Sequence, residues 1–147
     1  MLMNILLGCG LVFATTLVHA TVMVMSLRAL RIMHAGDWAR TGHYHRATVI
    51  ATLVLALFIA SILEAGLWAA AYLVVGAISG IEEAVYFSTV TYTTLGYGDV
   101  VMTDHWRLLS AFEAANGIIM FGWSTAVLVA ALQRIYIHGQ DGSPSKS

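Results

Sequence analysis

Residues 93–99 read Thr-Thr-Leu-Gly-Tyr-Gly-Asp, and this run lies between a short apolar segment and a long one. Gly96 and Gly98 can adopt a positive φ at little energetic cost because they have no Cβ atom. A backbone that alternates between right-handed and left-handed conformations can direct successive carbonyl groups toward one axis. We therefore expect residues 93–99 to form a ribbon whose carbonyls face one axis and which ends at Asp99.

The composition is typical of a membrane protein. Of the 147 residues, 59% are hydrophobic and 10% are charged, which is far from the average for soluble domains. The net charge of −1 indicates neither a nucleic-acid partner nor an acidic one. Cys9 is the single cysteine, so an intrachain disulfide is excluded. The sequence resembles no soluble enzyme fold, and we expect no enzymatic activity.

Three apolar stretches are long enough to cross a membrane, which requires about 20 residues. They cover approximately residues 3–27, 47–78 and 106–134. A fourth stretch, residues 81–92, is too short to cross and is tolerated at membrane depth only where protein surrounds it. It opens with Glu82 and Glu83, which suit the positive end of a helix dipole. The prediction is an all-α membrane protein with three transmembrane helices and one re-entrant helix.

The charges of the first linker predict the orientation. The segment 28–46 carries Arg28, Arg31, Arg40 and Arg46, and loops rich in arginine are retained in the cytoplasm. We therefore expect a multi-pass protein of the cell membrane, in contact with lipid, with its N-terminus outside and its C-terminus in the cytoplasm. The short helix and the glycine-containing run then face the outside.

Polar and aromatic residues within the apolar stretches also have expected positions. Glu64 must face protein, because a carboxylate in lipid costs at least about 2.5 kcal/mol unless it is paired or protonated. Trp68 and Tyr72 suit the aromatic belt at the outer membrane interface. His19 is interpreted as a packed histidine that is hydrogen-bonded to a neighbour. A polar stripe at helical spacing should pack on the short helix or on another subunit; it comprises Glu113, Asn116, Gly117, Met120 and Ser124.

From about residue 81 to residue 133 the sequence resembles the pore module of the potassium channel superfamily, most closely at residues 91–99. The resemblance implies a pore helix, a selectivity filter and an inner helix, with residues 47–78 as the outer helix. It implies that K⁺ passes a ring of backbone carbonyls that replace its water shell. One filter is present per chain and a ring needs four, so a homotetrameric pore is implied. The implied ion-binding residues are Thr93, Thr94, Leu95, Gly96, Tyr97 and Gly98, with K⁺ at Thr94, Leu95, Gly96 and Tyr97.

The resemblance also implies residues that support residues 93–99, which we call the filter segment. Asp99 would lie at the outer mouth, and an aromatic cuff would pack on Tyr97. Some relatives pair this aspartate with a glutamate three residues before the first filter threonine, where this chain has Val90. That pair is therefore absent here, and Glu64 or Glu113 is the candidate substitute. The implied supporting residues are Asp99, Tyr86, Phe87, Glu64 and Glu113.

In the inner helix the resemblance implies flexible and cavity-lining positions. Gly117 and Gly122 are candidate gating hinges, because a glycine weakens a helix interior by roughly 1 kcal/mol relative to alanine. Close helix packing is the alternative role for each glycine. The side chains expected to line the cavity are Ile118, Phe121 and Thr125.

Three segments are therefore predicted. Residues 1–46 would form an additional helix and a basic linker, residues 47–134 the pore module, and residues 135–147 a short tail. No ligand-binding domain is expected to be linked to the pore, and no cofactor besides the transported K⁺. The alternatives are a nonselective cation channel, a regulatory or structural membrane subunit with a non-conducting filter, and a redox protein that binds haem through His19.

Overall fold

Four α-helices form the regular structure of residues 1–33, 42–103 and 105–136, which are the part of the chain that this computed structural model describes. They are α1 (Leu2–Met33), α2 (His43–Val74), α3 (Ile81–Tyr92) and α4 (Arg107–Tyr136). No strand occurs among the described residues. The predicted all-α fold is thus confirmed.

Three of these helices are long and apolar enough to cross a membrane, as predicted: α1 over Leu2–Ala29, α2 over its full length and α4 over Arg107–Gln133. The first two differ in extent from the prediction. Because α1 continues to Met33 and α2 starts at His43, part of the predicted linker 28–46 is helical. Residues 34–41 of that linker and residues 137–147 of the predicted tail lie outside the described residues.

The end of α2 is set by Gly76. Gly76 has φ +69°, and its N–H donates to Leu73 O over 3.1 Å. The next N–H, of Ala77, donates to Tyr72 O over 2.9 Å. This pair of bonds is the Schellman arrangement, which satisfies the last carbonyls of a helix and reverses the chain. The helix therefore stops at Val74, four residues before the predicted end.

Helix α3 has the predicted bounds and is too short to span a bilayer. Its 12 residues rise by about 18 Å, against a hydrocarbon thickness of about 30 Å. Gly80 precedes it with extended backbone, and Glu82 and Glu83 occupy its first turn. Helix α3 therefore reaches only part of the way across a bilayer. The filter segment follows directly at its carboxyl-terminal end.

The main core lies where α2, α3 and α4 meet, and Trp68 and Tyr72 are at its centre, both 0% exposed. The expectation that they belong to an interfacial belt is therefore wrong. Tyr72 instead packs edge-on against Phe87 of α3, with ring centroids 5.4 Å apart. The re-entrant helix covers the face of α2 that would otherwise meet lipid and headgroups.

Helix α1 packs on both α2 and α4. Leu7, Leu11 and Val12 contact the main core, and Gly8 brings α1 close to α4. A Cβ atom built on Gly8 would lie 3.0 Å from the Phe112 ring. The first helix is thus integrated into the pore-side bundle.

Candidate functional site

The filter segment has an alternating backbone. Positive φ values occur at Thr94 (59°), Gly96 (57°) and Gly98 (77°), while Leu95 and Tyr97 between them have negative φ. The two glycines behave as their chemistry predicts. Thr94 was not anticipated, because a positive φ is uncommon outside glycine and disfavours a β-branched residue. Such local strain tends to persist where the surrounding structure holds it in place.

Hydrogen bonds from the filter segment to the end of α3 hold this conformation. Thr94 N–H donates to Thr91 O over 2.9 Å, and the N–H groups of Leu95 and Gly96 both donate to Val90 O, over 3.0 and 3.3 Å. The chain therefore folds back over the last turn of α3 before it extends. In these bonds the filter segment provides only N–H donors, so its carbonyl oxygens remain available to other partners.

The filter segment is exposed in the single chain, including its large side chains. Leu95 is 54% exposed and Tyr97 is 67% exposed. Tyr97 is thus not covered within one chain. Tyr86 and Phe87 line a cavity of about 350 Å³ together with Gly96, Gly98 and Asp99. One chain leaves both surfaces of the ribbon open.

Asp99 has a partner that the sequence did not suggest. The Tyr86 hydroxyl donates to Asp99 Oδ2 over 2.5 Å, and Val100 N–H donates to Asp99 Oδ1 over 3.0 Å. The bond from Tyr86 is the largest effect and lowers the pKa of Asp99 below its ordinary value; desolvation raises this pKa by less, and the bond from Val100 N–H lowers it further. The expectation that Glu64 or Glu113 replaces the missing glutamate is wrong, because both are bonded elsewhere. Tyr86 fills that role from one turn earlier on α3.

We predict that Tyr86→Phe raises the pKa of Asp99. Because the bond lowers this pKa, Asp99 stays anionic until the pH falls through the lowered value; without the bond, protonation begins at a higher pH. The titration of the Asp99 carboxyl, followed by NMR from neutral pH to below about 3.9, the ordinary pKa of aspartate, should therefore occur at a higher pH in the variant. Tyr44→Phe is the control, since Tyr44 is 92% exposed at the far end of α2. Superimposable pH curves for Tyr86→Phe and wild type would contradict the prediction.

Glu64 lies behind the last turn of α3 and is 0% exposed. Its Oε2 accepts a hydrogen bond from the Tyr92 hydroxyl, and its Oε1 lies 2.8 Å from His19 Nδ1. The side chain therefore faces protein, as its cost in lipid requires. It connects α2 to the residue that immediately precedes the filter segment.

Glu113 on α4 is a second buried glutamate that bonds to α3. Its partner there is Ser88, one turn before Tyr92, the partner of Glu64. Glu113 is 0% exposed and accepts hydrogen bonds from the hydroxyls of Tyr72 (2.6 Å) and Ser88. Ser88 Oγ also lies 2.5 Å from Ala65 O, and its single proton can be donated to only one of these two acceptors at a time. This carboxylate thereby joins α2, α3 and α4 at mid-length of the short helix.

The two candidate hinge glycines differ in their surroundings. A Cβ atom on Gly117 would lie 1.9 Å from Tyr92 O, whereas one on Gly122 would meet nothing within 4 Å. Gly117 therefore has a packing role against the end of α3, and Gly122 is free of such contact. The predicted cavity side of α4 is open to solvent in the single chain; Ile118 is 62% exposed and Phe121 38% exposed, and Thr125 is exposed.

The polar stripe of α4 contacts α1 as well as the short helix. Asn116 Nδ2 donates to Thr15 Oγ1 over 2.8 Å, and Ser124 Oγ lies 3.2 Å from His19 Nε2. The contact with α1 was not predicted from the sequence. A signal was present, because Thr15 and His19 are four residues apart and share one face of α1.

His19 has the packed, hydrogen-bonded role that the sequence indicated. Both of its ring nitrogens are engaged, by Glu64 and by Ser124, so neither is available to ligate a haem iron. Among the described residues, no group of three His, Cys, Asp or Glu side chains could hold a metal ion. The haem alternative assigned His19 as a ligand, and that role does not fit the two bonds of its ring.

A protein-family model described as "Ion channel" matches residues 47–134. The match covers more than half of the chain and includes nearly all of α2 and α4, together with α3 and the filter segment. Neither a curated protein nor a solved structure matches the chain.

Proposed function

This chain belongs to the ion channel family, within the potassium channel pore-loop superfamily, and we propose that it is a potassium-selective channel conducting K⁺ passively across the cell membrane. The observation that carries this proposal is the left-handed backbone at every second residue, 94, 96 and 98. With this alternation, successive carbonyls can face the same side and replace the oxygens of an ion's water shell. The proposed ion sites are at Thr94, Leu95, Gly96 and Tyr97.

We propose a homotetramer with the filter segment on its axis. A single ribbon provides one side of an ion's coordination shell, so a ring requires further copies. The exposure of Leu95 and Tyr97 in the single chain supports this assembly, since neighbouring chains would cover these side chains while the carbonyls stay on the axis. The carboxyl-terminal ends of four α3 helices would add negative potential below the filter.

The proposed orientation has the N-terminus and the filter mouth outside and the C-terminus in the cytoplasm. Asn4 Nδ2 donates to His105 O, so the start of α1 lies beside the turn that follows the filter segment. The opposite end of the bundle carries Arg28 in α1 and Arg46 in α2. Arginine is retained on the cytoplasmic side, which supports this orientation.

The reversal potential of the purified protein in a planar bilayer tests the proposal. With K⁺ on one side and Na⁺ on the other, we expect a value close to the potassium equilibrium potential, because the carbonyl ring discriminates between the two ions. Bilayers fused with protein-free vesicles provide the baseline.

Two results would support other functions. A clear current that reverses near zero would indicate a nonselective cation channel. No current in any lipid, tension or pH tested would indicate a structural or regulatory subunit with a non-conducting filter. The wild-type Tyr97 and the alternating backbone favour the selective channel over both.

A further inference from the structure

Helix α1 lies outside the region that the family model matches, yet it carries buried polar side chains. Asn4, Thr15 and His19 are between 0% and 3% exposed, and all three contact residues beyond position 63. A polar group buried inside a membrane bundle is retained only when it has a partner there. Helix α1 is therefore more than a lipid-facing addition to the pore module.

His19 connects two helices of the pore module. Its Nδ1 lies 2.8 Å from Glu64 Oε1 of α2, and its Nε2 lies 3.2 Å from Ser124 Oγ of α4. The imidazole also packs against Trp123, with ring centroids 5.3 Å apart. A neutral ring with its proton on Nδ1 satisfies both bonds, donating to the carboxylate and accepting from the serine hydroxyl.

The second oxygen of Glu64 continues this chain of contacts to the filter. It accepts the hydrogen bond of the Tyr92 hydroxyl, and Tyr92 is the last residue of α3, directly before Thr93. The Tyr92 ring lies edge-on to Phe121, 5.6 Å away. The contacts thus run from Ser124 through His19 and Glu64 to the residue at which the filter segment begins.

We propose that His19 is a positioning residue for the selectivity filter. By holding Glu64 it fixes the Tyr92 hydroxyl, and through Tyr92 it sets where Thr93 and Thr94 lie. The contact of His19 with Ser124 also links the cytoplasmic half of α4 to the base of the filter. Ser124 lies two residues beyond Gly122, where an added Cβ atom would meet nothing within 4 Å. The inference rests on the proposed function, because it concerns how well that filter discriminates between ions.

The test compares K⁺ over Na⁺ permeability ratios of full-length variants reconstituted in planar bilayers as tetramers isolated by size exclusion. His19→Leu removes both bonds and should lower the ratio roughly tenfold, which corresponds to a loss of about 1.4 kcal/mol in the preference for K⁺ over Na⁺. His19→Asn, whose amide N–H replaces Nδ1–H, should restore most of the ratio. The control is Thr21→Val, because Thr21 is exposed on α1 and bonds only to its own helix at Leu17 O.

A second comparison separates positioning through Glu64 from general packing. Glu64→Gln should also lower the ratio, and the double variant His19→Leu/Glu64→Gln should be no worse than Glu64→Gln alone, since both changes act on one path. The double variant leaves no buried charge unpaired, so it is expected to assemble even if His19→Leu alone does not. The permeability ratio, unlike stability, should not respond to a merely structural change.

A failure of the positioning role can be distinguished from a failure of the proposed function. Wild-type protein without K⁺ preference would refute the proposed function before any variant is compared. With a selective wild type, an unchanged ratio in assembled His19→Leu or Glu64→Gln would overturn the positioning role. A further tenfold loss in the double variant relative to Glu64→Gln would also overturn it, because His19 would then act by another path.

Discussion

Gly98→Ala should abolish K⁺ current while leaving the helices intact. Gly98 has φ +77°, beyond the range of about +50° to +70° in which residues with a Cβ atom adopt left-handed backbone. Nothing lies within 4 Å of the position of an added Cβ atom, so the effect within one chain is conformational rather than a clash. Each chain would pay about 1–3 kcal/mol to keep the native backbone.

The proposed tetramer multiplies this effect, because one ion is coordinated by all four chains at once. Four substitutions would disfavour the native ring by roughly 4–12 kcal/mol if the costs add, which corresponds to a thousandfold loss or more of rings with native geometry at about 1.4 kcal/mol per factor of ten. Flux of K⁺ into proteoliposomes would fall to background, and circular dichroism would show unchanged helix content.

Gly66→Ala is the matched control for this substitution. Gly66 lies within α2, has no positive φ, and would also place its new methyl group in open space. Alanine is favoured over glycine inside a helix, so flux and assembly should match wild type. Normal K⁺ flux through Gly98→Ala would show that residue 98 does not form part of a carbonyl ring.

The sequence predicted well the structure of residues that have few favourable backbone conformations or few favourable environments. Gly96 and Gly98 adopt the left-handed backbone that their lack of a Cβ atom suggested. Glu64 faces protein because lipid leaves it no alternative. Thr94 could not be predicted, since its positive φ follows from the bonds that Leu95 and Gly96 make to Val90 O, which depend on the three-dimensional fold.

Partner identity was harder to predict than burial. That Glu64 and Glu113 would be buried follows from polarity, but which hydroxyls they accept depends on how the helices rotate about their axes. Trp68 and Tyr72 have a pattern typical of an interfacial belt and are nevertheless buried, because α3 folds back over them. His19 was considered by itself; with Thr15 it forms a polar face of α1 that matches the polar stripe on α4.

Gly117→Ala should destabilise the proposed tetramer and remove the K⁺ current that we propose it conducts. Its Cβ atom would lie 1.9 Å from Tyr92 O and 2.9 Å from Tyr92 C, so α3 and α4 would have to separate by about 1.5 Å to reach an ordinary contact of about 3.5 Å. Tyr92 cannot move freely, because Glu64 holds its hydroxyl and the filter segment is bonded to the same turn of α3. Overpacking of this kind typically costs about 1–3 kcal/mol per chain.

The measurement is the fraction of tetramer that survives heating, read by size exclusion, together with K⁺ flux at low temperature. Gly122→Ala is the control for stability, since it makes the same change on the same helix with nothing within 4 Å, and a gain in helix propensity should leave its melting unchanged or raised. If Gly117 acted only as a gating hinge, Gly117→Ala would melt like wild type and differ only in how often it opens. A wild-type melting profile for Gly117→Ala would therefore contradict the packing role. A loss of tetramer stability in Gly117→Ala but not in Gly122→Ala would identify the contact of Gly117 with Tyr92 as the point where α4 supports the base of the filter segment.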